Sequence, residues 1–191
     1  MTIHHDKLAY GKLAPTSETV SGERIEEMMN ELNSVDGGNL RFVKTDGNDK
    51  AFHSLCAELD EYMDEVEGVN KAAKAVYEKL NALDDIHDVY LAYDNDIPAG
   101  CVSFKKYNGE SAEIKRVFVR EQYRKAGIAR TLLTMLEADV RQKGYKYLIL
   151  ETGKLLTAAT KLYHSLGFEN FPNYGEYANM PNSVCMKKTL R

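Results

Sequence analysis

The chain has 191 residues, enough for one cored domain with or without an appendage. Its composition, 43% hydrophobic and 28% charged, is that of a globular protein, and a net charge of −4 argues against a general nucleic-acid binder, which needs a basic surface. No apolar run approaches a membrane span, His4, His5 and Asp6 leave no signal-peptide core, and neither the three isolated cysteines nor the five histidines have metal or disulfide spacing; the expectation is a cytoplasmic protein with no membrane partner and no metal.

Residues 1–22 read as an extended lead-in with Gly11, Pro15 and a Thr/Ser cluster. Ser21 is placed to cap a helix from about Glu23, with Ile25, Met28, Met29 and Leu32 on one face, ending before Asp36-Gly37-Gly38. That Met-rich face suits either a contact with a partner, such as a second copy in a homodimer, or packing on its own domain. Residues 1–39 are therefore expected to form an N-terminal extension with one amphipathic helix, and 40–191 the main domain.

Leu40–Val43 reads as a first strand, followed by helical stretches at 49–66 and 70–83. Phe52, Leu55, Cys56, Leu59 and Met63 supply the apolar face of the first; the acidic set Glu58, Asp60, Glu61, Asp64, Glu65 and Glu67 reads as its solvated face, the alternative being that it attracts a cationic acceptor. Strands are expected at 88–93 and 99–104, then an Asn108-Gly109 turn into a strand over Glu113–Val119, so that three strands run antiparallel.

After that strand comes Arg124-Lys125-Ala126-Gly127-Ile128-Ala129-Arg130. It opens a helix whose buried stripe is Ile128, Leu132, Leu133, Leu136 and Val140, stopped at Gly144. Basic charge at a helix start opposes the macrodipole, so a plain helix would carry Asp or Glu there. Small residues beside free backbone N–H groups, with cations around them, predict a phosphate or pyrophosphate site. The next strand, 146–151, must lie parallel to the central one because a helix joins them. A helix at about 157–166 and two last strands close an α+β fold.

The turn resembles the acyl-CoA signature Arg/Gln-x-x-Gly-x-Gly/Ala of the GNAT N-acyltransferase superfamily. Leu148–Gly153 is similar to the family's next strand, and Ala159–Phe168 to its A-x-x-L-Y-x-x-x-G-F helix. The likeness covers roughly residues 40–191, leaves the first forty unexplained, and implies a mixed, mostly antiparallel sheet with a parallel pair at the cofactor site, flanked by helices. It implies acetyl-CoA as cofactor and direct acetyl transfer to a primary amine, here of a small molecule. In this reading the backbone of Lys125–Arg130 and the Arg124 side chain hold the pyrophosphate, Val117, Phe118 and Val119 line the pantetheine arm, and the Val117 N–H stabilises the oxyanion.

Amine attack needs a base, and Glu113 lies eleven residues before Arg124, the offset of the catalytic Glu in the histone-acetylating branch; Glu151 is the second candidate. Tyr163 matches the family position that protonates the leaving thiolate. Tyr174 and Tyr177, in an aromatic loop, are candidates to frame the acceptor. Two positions depart from the family: Lys125 stands where a glycine is frequent, and Leu156 where many members carry a cofactor-binding Asn. The rival reading is a non-catalytic acyl-CoA-binding regulatory module.

Overall fold

The computed structural model describes residues 40–67, 77 and 79–190. The N-terminal helix expected from about Glu23 lies outside them, as does most of the stretch expected at 70–83. In chain order the elements are β1 (Leu40–Thr45), α1 (Lys50–Glu67), β2 (Asp88–Asp94), β3 (Ile97–Lys106), β4 (Ser111–Val119), α2 (Ile128–Gln142), β5 (Tyr147–Gly153), α3 (Thr157–Ser165), β6 (Glu169–Phe171) and β7 (Ser183–Thr189). They form a seven-stranded sheet in the order β1-β2-β3-β4-β5-β7-β6, in which only β4 and β5 run parallel. This is the mixed α+β sheet that the motifs imply, with β1 as a fourth antiparallel strand before α2.

The alternation of side chains along the strands gives each face its own core. On one face the α2 stripe of Ile128, Leu132, Leu133, Leu136 and Val140 is buried against Phe104, Ile114, Leu148 and Leu150. On the other, Phe52, Leu55 and Cys56 of α1 pack on Leu91, Cys101 and Phe118. Asn108 caps the β3–β4 turn by accepting from the N–H groups of Glu110 and Ser111 at 2.9 and 2.8 Å. Gly144, at φ +81°, ends α2 in the left-handed conformation that glycine adopts without penalty.

Two irregularities of β4 shape the centre of the molecule. Its pairing with β5 covers only Ser111–Glu113 against Tyr147–Ile149, after which the two strands part. On its other edge the register moves from Cys101↔Phe118 to Ser103↔Lys115, so β4 carries one residue more than β3 over that step. This is a β-bulge, and Arg116 within it has φ +56°. The Cys101 thiol and the Ser103 hydroxyl donate to the Arg116 and Lys115 carbonyls at 3.2 and 2.9 Å and hold the kink. Beside it, a Cβ on Gly100 would sit 2.7 Å from the Phe118 carbonyl oxygen, so no larger residue fits at that position.

Candidate active site

β4 ends in a short turn, Glu121–Tyr123, that delivers the chain to α2. The Arg124 Nε donates to the Val119 carbonyl at 3.0 Å, and its guanidinium lies 4.8 Å from the centre of the Tyr62 ring. Lys125 and Gly127 both take left-handed conformations, at φ +66° and +83°. Gly127 is the N-cap and offers no side-chain acceptor, no acid stands in the first turn, and the first ladder bond runs from the Thr131 N–H to the Gly127 carbonyl at 3.0 Å. Among the described residues, no hydrogen bond engages the N–H groups of residues 125–130. Six consecutive donors without a partner among the described residues thus stand at the positive end of a helix dipole, and this donor set fits a pyrophosphate.

From that turn a cleft of about 560 Å³ runs into the gap between β4 and β5. Leu59, Tyr62 and Met63 of α1 form one wall, Val117–Val119 the floor, and Leu156, Ala159 and Tyr163 the far wall. The Arg120 N–H donates to the Ala99 carbonyl of β3 at 3.0 Å, and Cys101 faces Phe118. By strand alternation the backbone groups of Val117 and Val119 then point the opposite way, to the edge that β5 has left. Phe118 sends its side chain into the α1 core, where it is 8% exposed. An open strand edge inside an apolar cleft fits a peptide-like arm.

A second cavity, of about 120 Å³, continues beyond the cleft and shares Leu59, Met63, Val117, Leu156, Ala159 and Tyr163 with it. Asp60, Lys115, Arg116 and Glu151 add charge to its lining. Tyr163 stands where the two spaces meet. It is 5% exposed, its ring lies 5.8 Å from that of Phe168, and its hydroxyl makes no hydrogen bond among the described residues. Burial, and secondarily the charge of Glu151, push its phenol well above the ordinary tyrosine range.

The other predicted site residues sit apart. Glu113 is 4% exposed, accepts from the Tyr174 hydroxyl at 3.0 Å, and lines neither cavity. Tyr177 accepts from the Lys115 ammonium at 3.0 Å, and neither Tyr174 nor Tyr177 lines either cavity. Arg130 donates to the Ser165 hydroxyl at 2.6 Å and so ties the start of α2 to the end of α3. Sequence reasoning did not single out Tyr62, Lys115 or Arg116, and took in Asp60 only as one of the acidic set on α1. For Lys115 a signal was present, since it stands two residues from Glu113 in the same strand, hence on the same face.

A sheet split open beside a free-donor helix start, with an unpaired strand edge between, defines an enzyme that takes an acyl group from coenzyme A. Residues 52–168 match the model of the Acetyltransferase (GNAT) family, and the chain belongs to that family. It is 34% identical over 103 residues to the uncharacterized N-acetyltransferase YsnE of Bacillus subtilis (strain 168), an alignment covering 53% of this chain and 68% of YsnE. Five further curated relatives are matched over 25–54% of their own length. A solved structure from Klebsiella pneumoniae subsp. pneumoniae MGH 78578, provisionally assigned as an acyl-CoA N-acyltransferase, superposes with a TM-score of 0.63 at 27% identity, covering 78% of this chain and 98% of that one. A GNAT family acetyltransferase from Elizabethkingia anophelis, solved with acetyl-CoA bound, shares the fold at a TM-score of 0.55 and 21% identity, over 80% of this chain and 99% of that one. The protein is an acetyl-CoA-dependent acyltransferase. Among the described residues no helix is long and apolar enough to cross a membrane.

Proposed function

We propose that this enzyme transfers the acetyl group of acetyl-CoA directly to a primary amine of a small molecule. The observation that carries this reading is the second cavity: at about 120 Å³ it has room for a compact acceptor only, and it opens onto the cleft at Tyr163. When bound, acetyl-CoA supplies an acetyl group activated as a thioester. The N–H groups of residues 125–130 and the cations of Arg124, Lys125 and Arg130 hold its pyrophosphate, and Val119 pairs with its amide arm.

An acceptor amine, with an ordinary pKa near ~10, arrives as an ammonium and must lose a proton before it attacks. Glu151 lines the acceptor cavity and is the base in this reading. Glu113, engaged by Tyr174, holds the segment between β6 and β7 instead. The Val117 N–H receives the negative charge that develops on the carbonyl oxygen. Tyr163 gives its phenolic proton to the departing sulfur. A phenol is protonated at neutral pH, and the upward shift from burial leaves that state unchanged.

Cys56, Cys101 and Cys185 line neither cavity, which favours direct transfer over a covalent enzyme intermediate. A panel of small primary amines, followed by release of free CoA thiol, tests the reading. At least one amine should release thiol, and Glu151→Gln should lower that rate by ~10²–10⁴-fold, most at low pH where the amine is protonated. Acetyl-CoA binding without thiol release on any amine, or acetyl label trapped on a cysteine during turnover, would overturn it.

A further inference from the structure

The acceptor cavity carries charge of both signs, and one of its cations is left largely unused. Arg116 is engaged: Asp60 takes both of its terminal nitrogens, and the Asn81 carbonyl accepts from it at 2.8 Å. Lys115 differs. The residue is 7% exposed and lines the same cavity, yet among the described residues its one hydrogen bond is to the neutral hydroxyl of Tyr177. An ammonium has three donors, so two remain. No described carboxylate lies within ion-pair distance of it; Glu113 is taken up by Tyr174, and Glu113 and Glu151 act on Lys115 only through space.

Burying a full charge against one neutral tyrosine, its hydroxyl at 3.0 Å and its ring centre at 5.7 Å, is a poor arrangement for stability alone. Burial accordingly pushes the Lys115 pKa down, with Lys105 and Arg116 adding to the effect and Glu113 and Glu151 opposing it. If its task were only to pin Tyr177, an uncharged donor would serve with no desolvation cost. What the site lacks is an anion of small size. Glu151, on the neighbouring strand and already engaged by a partner of its own, carries the opposite charge in the same lining.

Resting on the small-amine reading above, we propose that the acceptor is a small amino acid, its carboxylate received by Lys115 and its ammonium by Glu151. Lys115 is then a specificity-determining residue, because a buried ammonium left unpaired discriminates against an acceptor that lacks the anion. Nothing in this assignment requires Lys115 to move a proton.

Matched pairs test it on the intact enzyme with saturating acetyl-CoA: glycine against methylamine, L-alanine against ethylamine, L-leucine against isoamylamine, L-methionine against 3-methylthiopropylamine. In at least one pair kcat/KM for the amino acid should exceed that for the decarboxylated amine by about 30-fold or more, the scale of a truncated buried charge contact. Lys115→Met should raise KM for that amino acid by a similar factor and lower the amine's kcat/KM by far less. The wild-type comparison stands even if the variant does not fold. Equal or better turnover of the decarboxylated amines would overturn the proposal while leaving the small-amine reading intact. Turnover of no member of any pair by an enzyme that binds acetyl-CoA would overturn it as well, and the wider amine panel then decides the reading beneath. Equal loss on both members of a pair in folded Lys115→Met would reduce Lys115 to a structural residue.

Discussion

Tyr163→Phe removes one oxygen from the junction of the two cavities and leaves the ring packed on Phe168 at 5.8 Å between centroids. Two magnitudes compete. A structural hydroxyl that lost its hydrogen bond would cost ~1 kcal/mol, which lowers the Tm of a chain of this length by about 2–4 °C. Because the Tyr163 hydroxyl has no partner among the described residues, the expected shift is smaller than about 2 °C. The kinetic loss is much larger. Removal of a general acid slows turnover by ~10²–10⁴-fold, equivalent to about 2.7–5.5 kcal/mol of transition-state stabilisation. The assay is kcat by thiol release at saturating acetyl-CoA on an accepted amine, beside a melting curve and an acetyl-CoA affinity for each protein. Affinity should hold, since the substitution leaves every N–H of residues 125–130 and the ring's own packing in place. The sign of the pKa shift adds a check: the folded value lies above the ordinary 10.0, so the acid form persists through that pH and wild-type kcat should show no alkaline fall from Tyr163 below it. A variant with kcat within about threefold of wild type, well outside the general-acid range, and a Tm lowered by several degrees would refute the reasoning.

Gly127→Glu should abolish acetyl-CoA binding, measured by calorimetry, because it puts a carboxylate and a Cβ at φ +83° against the free N–H groups. Lys125→Gly relieves a left-handed residue at φ +66° and should raise the melting temperature of the ligand-free protein by about 2–4 °C, for about 1 kcal/mol of released strain. Arg120 binds Glu58 through Nε at 2.8 Å and holds its carboxyl below the ordinary 4.5, so Glu58→Gln should cost at most about 1 kcal/mol at neutral pH for this half-exposed pair. Since the folded carboxyl has the depressed value, that difference is complete above the unfolded pKa and disappears as pH falls through the folded one, which urea melts across acid pH will show.

The parts legible in the sequence were those decided locally. Arg124–Arg130 stood out because small residues and cations occupy a helix start that wants acids, and among the described residues no hydrogen bond engages the backbone donors there; that they hold an anion is the reading proposed above. The stripe from Ile128 to Val140 and the connection through α2 were enough to require a parallel pair at β4 and β5. Lys125 also held a readable clue: its left-handed φ is the physical reason a glycine would sit well at that position. What stayed hidden was long-range. Glu113 and Tyr174 are 61 residues apart, and no local pattern could say that one would occupy the other's carboxylate. The same holds for Tyr177 and Lys115, 62 residues apart. The bulge at Arg116 arises from the count of residues on two neighbouring strands, which neither strand carries alone.

The separation of β4 from β5 beyond Glu113 and Ile149 also bears on how the protein persists. Backbone groups of β4 beyond Glu113 find no partner on β5, and in the proposed reading the acyl donor pairs with them when it binds. A ligand with that role binds only the folded form, and at a hundred times its dissociation constant it adds ~2.7 kcal/mol to folding. For a domain whose whole margin is ~5–15 kcal/mol, that is a large share. Depletion of the donor therefore multiplies the small unfolded fraction by about a hundred, and with it the chain's exposure to proteolysis, while nearly all of the enzyme stays folded.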